Sequence, residues 1–526
     1  MENRLFFVLS ALASGALYTF ANVGYGQWYL AFVAFVPLLL AFERGGNSFV
    51  WNVILAFLAG SIVYLVGYSW LFALAGDFVH GQAESVAMWF GYGLIVSLNF
   101  TFLGLAYAVL RRAQVPLVLS FCTALLAHEA VQFNLFPFYF GASLVHSPGL
   151  AQAADLGGVY LLSALLAVIN SCVVGGILHL ERESLRAIVN MVLASLCVSF
   201  MYVYGLSINT QDEARGGPHS KPMQLHVGLV QSNLYGIARD AQRVKAHRHH
   251  LELSRQLLSD TTVDLLVWPE AAYGHGIKGA LPLDGSSVKQ DLDTPILFGS
   301  TRVVVKGGEE RAQNSVFLVG QNNKIEQVYS KIKLIPFSEY LPFSNQSHFA
   351  SESLSRVFPE HQNFLAGNSI QAIELNGHSI STPICYEAIM PDLVRKMVNE
   401  NAAELLISVA NDSWFGQSRE PYIHLALARL RSIEHRRWFV RVANSGISAV
   451  IDPKGKLTNT IPLGVEGVRS SVVEWRSERT LFTQFGNWSL TLSLLVTAVF
   501  LSLRILSINR TSKRSEQLFV RRSQFG

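Results

Sequence analysis

A cysteine and a glutamate each follow a predicted strand, at positions where they could act as a nucleophile and a base. Cys385 comes directly after Ser379–Ile384, so we expect its thiol at the end of a strand, where sites of α/β domains assemble. Glu270 follows the apolar residues 265–268 and a proline, and partial desolvation would raise the pKa of its carboxyl toward that of a general base. Each also has a structural interpretation, Cys385 as a small buried hydrophobe and Glu270 as a solvated loop acid.

Two lysines, Lys331 and Lys333, lie between these residues in YSKIKLIPFSEY (residues 329–340). A lysine beside a thiolate can stabilise an oxyanion or lower the pKa of the thiol. Two lysines spaced by two are also typical of one inward and one outward side chain at a strand end. The order Glu–Lys–Cys is more specific than any of its members, and it predicts nucleophilic catalysis by the cysteine.

The composition separates this chain from ordinary soluble enzymes. Its 526 residues are 50% hydrophobic and only 15% charged, and the mean hydropathy is +0.31. Soluble globular proteins contain about 25% charged residues. The net charge of +4 argues against a nucleic-acid binder, and four cysteines are too few for a disulfide scaffold. We therefore expect a large part of the chain to lie in a membrane.

Apolar runs cluster at the start of the chain, and one more lies near its C-terminus. About 20 apolar residues cross a bilayer as a helix. The predicted spans, of which the second is short, are Leu5–Ala21, Trp28–Phe42, Val50–Ala75, Val86–Leu110, Val115–Phe133, Val159–Leu180, Ala187–Ile208 and Trp488–Ile505. The other cysteines all fall inside these spans, which leaves Cys385 as the thiol of the long segment before the last span.

The basic residues indicate which side of the membrane each loop faces. With eight spans and a cytoplasmic N-terminus, the opposite loops Asn22–Gln27, Gly76–Glu84 and Asn134–Gly158 contain no lysine or arginine. The basic positions expected inside are Arg4, Arg44, Arg111, Arg112, Arg182, Arg186, Arg510, Lys513, Arg514, Arg521 and Arg522. This pattern predicts that the long segment before the last span is exported.

The sequence thus predicts three parts: a transmembrane bundle of seven helices over residues 1–208, an exported catalytic domain over 209–487, and a transmembrane helix with a basic cytoplasmic tail over 488–526. Short β-rich runs alternate with helical patterns in the second part, which is typical of an α/β domain. The β-rich runs are Leu225–Gln231, Val263–Trp268, Ile296–Val305, Ser315–Val319, Ile325–Ser330, Ser379–Ile384, Glu404–Val409 and Gly446–Ile451. The helical patterns are Ala241–Leu258, Pro391–Asn399 and Pro421–Val442.

Several motifs resemble those of the nitrilase (carbon–nitrogen hydrolase) superfamily, and more closely those of the apolipoprotein N-acyltransferases of double-membraned bacteria. The motifs are WPE (Trp268–Glu270), YSKIKLIPFSEYLPF (Tyr329–Phe343), ICYE (Ile384–Glu387), NDSWFG (Asn411–Gly416), NSGISAVID (Asn444–Asp452) and GQWYLAFVAFVPLLLAF (Gly26–Phe42). The resemblance covers the whole chain, since that family also inserts its catalytic domain before the last of eight spans. It implies a polytopic α-helical membrane bundle of about eight spans that carries an inserted α/β nitrilase-like αββα sandwich domain.

The resemblance also implies roles for residues that match the motifs. Glu270 matches the general base, Lys331 the lysine beside the oxyanion, and Cys385 the nucleophile. Residues that would support the site or bind substrate are Glu339, Tyr386, Glu387, Trp414 and Phe415. The last two are equally compatible with positions in the core.

The implied reaction is N-acylation of the N-terminal diacylglyceryl-cysteine of apolipoproteins, the last step of lipoprotein maturation. A phospholipid would donate the acyl chain, which would pass through a thioester on Cys385 in ping-pong order. The partners would be the phospholipid, the diacylglyceryl-modified apolipoprotein and the lipid bilayer, with no nucleic acid, no cofactor and no metal. The chain would be a monomer in the bacterial inner membrane, with its catalytic domain on the periplasmic side.

Three further segments bear on substrate handling and on metal binding. The loop Asn233–Asp240 departs from the family, which often has a tryptophan there, because Tyr235 is its only aromatic residue. The histidines of HRHH (247–250) resemble a metal cluster, but their charged helical pattern favours a solvated face. The segment Tyr340–Phe364 would form either a lipid-facing lid or internal packing through Leu341, Phe343, Phe349 and Phe358.

The sequence leaves two alternative functions open. The same three residues could serve a membrane-tethered nitrilase-type amidase or hydrolase, in which water takes the acyl group from the cysteine. A bundle that acts as a transporter, with the exported segment as a sensor or binding module, would need a polar lining. The predicted spans contain few ionisable groups besides His128 and Glu129, which argues against the transporter.

Overall fold

The computed structural model describes residues 2–72, 82–180, 183–215, 223–234, 240–342, 352, 355 and 362–523. Four of the aromatic residues singled out in the sequence lie outside these ranges, namely Tyr235, Phe343, Phe349 and Phe358.

The first part of the chain is a helical bundle. Its helices are α1 (Glu2–Ala21), α2 (Val36–Arg44), α3 (Phe49–Gly67), α4 (Gln82–Arg112), α5 (Leu117–Val131), α6 (Pro148–Ala151), α7 (Ala154–His179) and α8 (Ser184–Arg215), with 3-10 helices at Trp28–Phe32 and Phe140–His146. Across the described ranges, six helices are long and apolar enough to cross a membrane: five of these and the C-terminal helix Trp488–Ser523. The prediction of a polytopic membrane bundle is confirmed, and α5 is a shorter apolar helix.

The predicted span Trp28–Phe42 is not a single helix. A 3-10 helix ends at Phe32, and α2 begins only at Val36, with a proline in its first turn. Proline is tolerated there because its missing N–H has no partner in the first turn of a helix. With nine residues, α2 is too short to cross a bilayer alone.

Residues 224–474 form an α/β domain with two sheets. The strands are β1 (Gln224–Gln231), β2 (Leu265–Val267), β3 (Tyr273–Lys278), β4 (Leu283–Asp284), β5 (Ile296–Lys306), β6 (Glu309–Val319), β7 (Lys324–Ser330), β8 (Ile373–Leu375), β9 (His378–Ser381), β10 (Leu405–Ala410), β11 (Phe439–Ala443), β12 (Ser448–Ile451), β13 (Leu457–Ile461) and β14 (Gly467–Glu474). The first sheet has the order β14-β1-β2-β5-β6-β7-β4, with β3 beside β5, and the second has the order β13-β12-β11-β10-β9-β8. The helices that follow α8 are α9 (Asp240–Asp260), α10 (Ser286–Lys289), α11 (Pro391–Glu400), α12 (Glu420–His435), α13 (Leu481–Phe485) and α14 (Trp488–Ser523).

Alternate side chains of the strands enter different cores. In β2, Leu265 and Val267 pack between the two sheets, whereas Leu266 packs on the other face with residues of α9. In β10 of the second sheet, Ile407 enters the shared core, and Leu406 packs against residues of α11 and α12. The domain therefore has four layers, helix–sheet–sheet–helix, which confirms the predicted αββα sandwich.

The predicted helix Pro421–Val442 is correct only in its first part. Helix α12 ends at His435, because Arg436 adopts a left-handed conformation with φ +52° that terminates the helix. The next residues form β11, which pairs in parallel with β10 and antiparallel with β12. Three of its five residues are Phe439, Val440 and Val442, which favour a strand over a helix.

Helix α12 joins the domain to the bundle. Its residues Ile423, Ala426 and Leu427 belong to the core of the bundle, while Leu425 and Ala428 belong to the core of the second sheet. Because two faces are covered, the helix is buried along nearly its whole length. The bundle and the domain therefore share a continuous packed interface.

Candidate active site

Loops after three strands carry the residues that the sequence analysis selected for chemistry. Glu270 follows β2 after a Trp-Pro pair, and Lys331 follows β7 directly. Cys385 does not end its strand as expected, since β9 stops at Ser381, and the cysteine instead begins a 3-10 helix over Cys385–Ile389. These loops bring the three side chains together where β2 and β7 of the first sheet and β9 of the second sheet end.

The three side chains form one buried cluster. The Nζ of Lys331 lies 3.7 Å from Oε1 of Glu270, and the Cys385 thiol and the same carboxyl group are close enough to shift each other's pKa. The second carboxyl group, Glu339, lies 2.9 Å from the Lys331 Nζ. The exposed fractions of Glu270, Lys331 and Cys385 are 8%, 1% and 4%, so water has little access to the charges.

Asn314 on β6 completes this cluster and was not identified from the sequence. Its Nδ2 donates to Oε1 of Glu270 at 2.6 Å and to Oε1 of Glu339 at 2.8 Å. The other oxygen of Glu339 accepts from the backbone N–H of Ile335 at 2.8 Å. The only signal in the sequence is a polar Gln-Asn-Ser run directly before the apolar end of the strand, which does not identify a partner.

Burial and neighbouring charges set the protonation states of the site. Burial raises the pKa of Glu270, and the Lys331 ammonium offsets part of this effect. Burial alone would lower the pKa of Lys331, but the carboxylates of Glu339 and Glu270 outweigh it and raise the pKa. Burial, reinforced by Glu270, raises the pKa of the Cys385 thiol. The resting site therefore combines a protonated thiol, an adjacent carboxyl group of increased basicity and a permanent cation.

Glu387 connects the loop after β7 to the loop that carries the nucleophile. Its carboxylate accepts from the backbone N–H groups of Ile332 at 2.7 Å, Lys333 at 3.0 Å and Ile384 at 2.9 Å. The hydroxyl of Tyr329 donates to the same carboxylate at 2.9 Å. Glu387 is thus placed to fix the distance between the lysine and the cysteine.

Two backbone features allow the close approach of the reactive groups. Cys385 has φ +48°, in the left-handed region that costs a residue with a side chain about 1–3 kcal/mol. Gly299 on β5 packs against the backbone of Glu270, and a Cβ there would lie only 2.6 Å from the Glu270 Cα. The positions of Glu270 and Cys385 therefore depend on backbone geometry as well as on side-chain type.

The bundle supplies one wall next to the nucleophile. The hydroxyl of Tyr386 donates to the carbonyl of Leu135, and its ring packs edge-to-face on Phe136 with centroids 5.5 Å apart. Phe415 packs edge-to-face against Phe136 at 5.8 Å and against Trp70 at 5.6 Å. Trp414, the other substrate-binding candidate of this loop, is half-buried and packs against the core of the bundle.

A group of ligand-type side chains lies beside the nucleophile. Among the described residues, Cys385, Asp412 and His424 place one potential ligand atom each within 4.8 Å of one another. Arg441 already lies 2.5 Å from Asp412, and Nε2 of His424 bonds the carbonyl of Cys385. With these groups engaged, the arrangement fits a hydrogen-bonded charge cluster.

The histidines of α9 differ from their predicted solvated face. His247 and His250 are buried against Trp268, and their rings bond the carbonyls of Val288 and Ala246. His249 alone points outward and contacts an acidic side chain of a neighbouring loop. The charged residues between these histidines suggested an exposed helix, whereas one face of α9 packs on the first sheet.

Comparison with known proteins agrees with both parts of the structure. Residues 14–172 match the model of the apolipoprotein N-acyltransferase N-terminal domain, and residues 226–474 match that of carbon-nitrogen hydrolases. The apolipoprotein N-acyltransferase of Pseudomonas aeruginosa is 28% identical over 504 residues, with 92% of this chain and 93% of the relative covered. That of Rhodopseudomonas palustris is 29% identical over 521 residues, with 90% and 91% covered.

Among solved structures, a carbon-nitrogen hydrolase from Helicobacter pylori matches with a TM-score of 0.37 and 17% identity, over 50% of this chain and 94% of that one. The two matched domains together extend over the bundle and the sandwich, and the relatives cover nearly the full length. The chain is therefore similar over nearly its full length to apolipoprotein N-acyltransferases, and it is an integral membrane acyltransferase.

Proposed function

We propose that this enzyme transfers an acyl chain from a membrane phospholipid to the N-terminal amine of a diacylglyceryl-cysteine on apolipoproteins. Its curated relatives are named for acylation of apolipoproteins. The observation that carries the proposal is the buried contact of the Cys385 thiol with Glu270, with the Lys331 ammonium 3.7 Å from that carboxyl group. In this proposal Glu270 is the base, Lys331 stabilises the oxyanion and Cys385 is the nucleophile.

The first half-reaction acylates the enzyme. Glu270 takes the proton of the thiol while the sulfur of Cys385 attacks the ester carbonyl of the phospholipid. Lys331 and a backbone N–H next to the cysteine stabilise the negative charge on the carbonyl oxygen. The ester bond then breaks, Glu270 returns the proton to the leaving alkoxide, and a lysophospholipid departs from the thioester.

The second half-reaction transfers the acyl chain to the amine. The neutral α-amine of the diacylglyceryl-cysteine attacks the thioester, and Glu270 accepts a proton from the nitrogen. When the C–S bond breaks, that proton returns to the sulfur of Cys385 and an amide has formed. A thioester suits this sequence because it is reactive toward amines yet slow toward water.

Contacts between the domain and the bundle support access from a lipid leaflet. Tyr386, next to the nucleophile, bonds Leu135, and Phe415 packs on bundle aromatic residues. In the proposal, Phe415 and Trp414 line the path of the acyl chain, and Tyr386 sets the position of the nucleophile loop. A site enclosed on this side would receive both lipid substrates from the membrane and would keep water away from the thioester.

The proposed location is the periplasmic side of the inner membrane, with one chain as the working unit. The domain contacts the bundle at Gly24, Leu135 and Gln152, all in loops that contain no lysine or arginine. Arg111 and Arg112 lie at the far end of α4, beside Glu43 and Asn47. This separation agrees with basic loops inside and an exported domain.

We propose a division of the chain into three parts, with a helix at each boundary of the catalytic domain. The bundle covers residues 1–208, the catalytic domain 209–487, and the anchor with its tail 488–526. Helix α8 continues past the first boundary to Arg215, and α14 begins at Trp488. The domain is thus held by a helix at each end, which confines its search for substrates to the membrane surface.

A phospholipid-only incubation separates transfer from hydrolysis. We expect lysophospholipid to appear in a burst equal to the amount of enzyme and then to stop until a diacylated cysteine peptide is added. Cys385→Ala should give no burst. Continuous release of free fatty acid without the peptide would instead support a membrane-tethered hydrolase, and undiminished transfer by Cys385→Ala would exclude the proposed nucleophile.

A further inference from the structure

A buried histidine holds the backbone of the nucleophile, and no step proposed above uses it. His424 on α12 is 1% exposed, and its Nε2 lies 2.9 Å from the carbonyl oxygen of Cys385. A carbonyl oxygen only accepts, so Nε2 carries the proton in this bond, and Nδ1 is the bare nitrogen of the neutral ring. The ring is therefore fixed in one tautomer by its partner.

Burial and the cation of Arg441 favour the neutral ring of His424, and they outweigh the Asp412 carboxylate, which raises its pKa. Nδ1 lies 3.6 Å from Asp412 and 3.7 Å from Glu420, and Asp412 is paired with Arg441 at 2.5 Å. Burial alone would raise the pKa of Asp412, but Arg441 outweighs it and lowers the pKa to about 2. Burial and the neighbouring Asp412 raise the pKa of Glu420, and burial lowers that of His424.

The bond from His424 acts on a whole peptide group. The carbonyl of Cys385 and the N–H of Tyr386 belong to one planar unit and point in opposite directions. That N–H lies in the first turn of the 3-10 helix Cys385–Ile389, where N–H groups have no partner within the helix. A hydrogen bond to the carbonyl fixes the direction of the N–H and polarises it, which makes it a stronger donor.

We propose that His424 is a positioning residue that orients and polarises the Cys385–Tyr386 peptide group, so that the Tyr386 N–H and Lys331 together hold the oxyanion. This inference rests on the proposed function, because it assumes that Cys385 attacks an acyl carbonyl. His424 touches no reacting atom, and it acts through the left-handed backbone of Cys385 at φ +48°.

Two reactions of the full-length enzyme separate this role from simple support of the fold: acyl transfer in phospholipid vesicles, and alkylation of the free thiol in detergent without phospholipid. Acyl transfer forms an oxyanion, whereas alkylation of Cys385 by iodoacetamide displaces iodide and forms none. We expect His424→Leu to lower kcat for acyl transfer by about 30-fold, somewhat less than the loss of a direct oxyanion donor. KM and the alkylation rate should stay close to wild type, and His424→Gln, which keeps a donor, should recover most of kcat.

His250→Leu is the matched control, because His250 is equally buried and also bonds a backbone carbonyl, that of Ala246. In this control the two rates should change together if they change at all. The inference is overturned if His424→Leu lowers both rates equally, if His424→Gln is no better than His424→Leu, or if His250→Leu gives the same selective loss. Acyl transfer that survives in Cys385→Ala would overturn the proposed function instead.

Discussion

Among single residues, burial keeps the thiol of Cys385, the proposed nucleophile, protonated in the resting site. Burial and Glu270 both raise the pKa of the Cys385 thiol, while the Lys331 ammonium opposes them. The thiolate therefore forms together with the attack, when its negative charge moves toward the carbonyl oxygen and Lys331. Glu339 holds Lys331 in position for that step, and Asn314 holds Glu270.

Loss of the buried Lys331 ammonium should lower the rate of acyl transfer. We expect Lys331→Met to lower kcat for acyl transfer by about 10²–10³-fold, the cost of removing a charge that stabilises an oxyanion. Lys333→Met is the control, because that side chain is exposed and lies two residues away. Equal rates for Lys331→Met and wild type in a vesicle assay would contradict the role of the lysine.

The acidic side of the pH profile should report the base. Acyl transfer needs Glu270 as a carboxylate, so activity falls when the pH drops through its pKa, which burial raises. The Asn314 amide donates to Glu270 and lowers this pKa, and Asn314→Leu should therefore move the acidic limb to higher pH. Asn459→Leu, which removes a strand amide bonded to Ser470, should leave the limb in place. An acidic limb that moves to lower pH would contradict Glu270 as the base.

Sequence reasoning selected Glu270, Lys331 and Cys385 because reactive residues at the ends of predicted strands are visible in a linear pattern. Asn314 and His424 were missed because their partners come from distant segments, across 44 residues for Asn314 and 39 for His424. An amide inside a strand or a histidine on a buried helix has no local signal that names its partner. Those contacts are decided by how the two sheets and α12 pack.

At the scale of elements, the distance between β2 and β5 positions the base. Gly299 lies where a Cβ would meet the Glu270 backbone at 2.6 Å. Gly299→Ala should therefore displace Glu270 and lower kcat by about 10²-fold, the typical cost of a 1 Å misplacement.

Gly467→Ala on β14 tests whether this effect is local. A Cβ at Gly467 would meet its nearest neighbour at an ordinary 3.5 Å. We expect the transfer rate of this variant to match that of wild type. If Gly299→Ala also transfers acyl chains at the wild-type rate, the close approach does not position the base.

The alternation of strands and helices was predictable, but the ends of elements were not. The runs that became β1, β5, β7 and β10 have the apolar residues that a buried strand needs. The strand β11 was taken for the end of α12, because an apolar run after a helix has no periodicity to mark the change. The left-handed turn at Arg436 that separates the two elements is fixed by tertiary contacts.

In the whole molecule, an ion pair between Arg436 and Asp155 links the α/β domain to the bundle. Arg436, just after α12, donates to Asp155 at 2.7 Å and 3.0 Å and also bonds Gln152. The side chains of Arg436 and Asp155 are only 11% and 9% exposed. Removing one partner leaves a buried charge without compensation, which costs about 3 kcal/mol.

Arg436→Ala should consequently lower the unfolding temperature of the full-length protein in detergent and reduce acyl transfer. Arg255→Ala removes an exposed pair with Asp291, 41% and 63% exposed, and should cost less than about 1 kcal/mol. Similar unfolding temperatures for the two variants would mean that the Arg436 contact does not stabilise the interface.

The central claim is that an acyl chain passes through the sulfur of Cys385. Its most direct test is peptide mass spectrometry of the enzyme after exposure to phospholipid vesicles. We expect an added acyl mass on the peptide that contains Cys385, which disappears when a diacylglyceryl-cysteine peptide is added and reappears on the amine of that peptide. Acyl transfer without an acyl mass on Cys385, or with that mass on another residue, would contradict it.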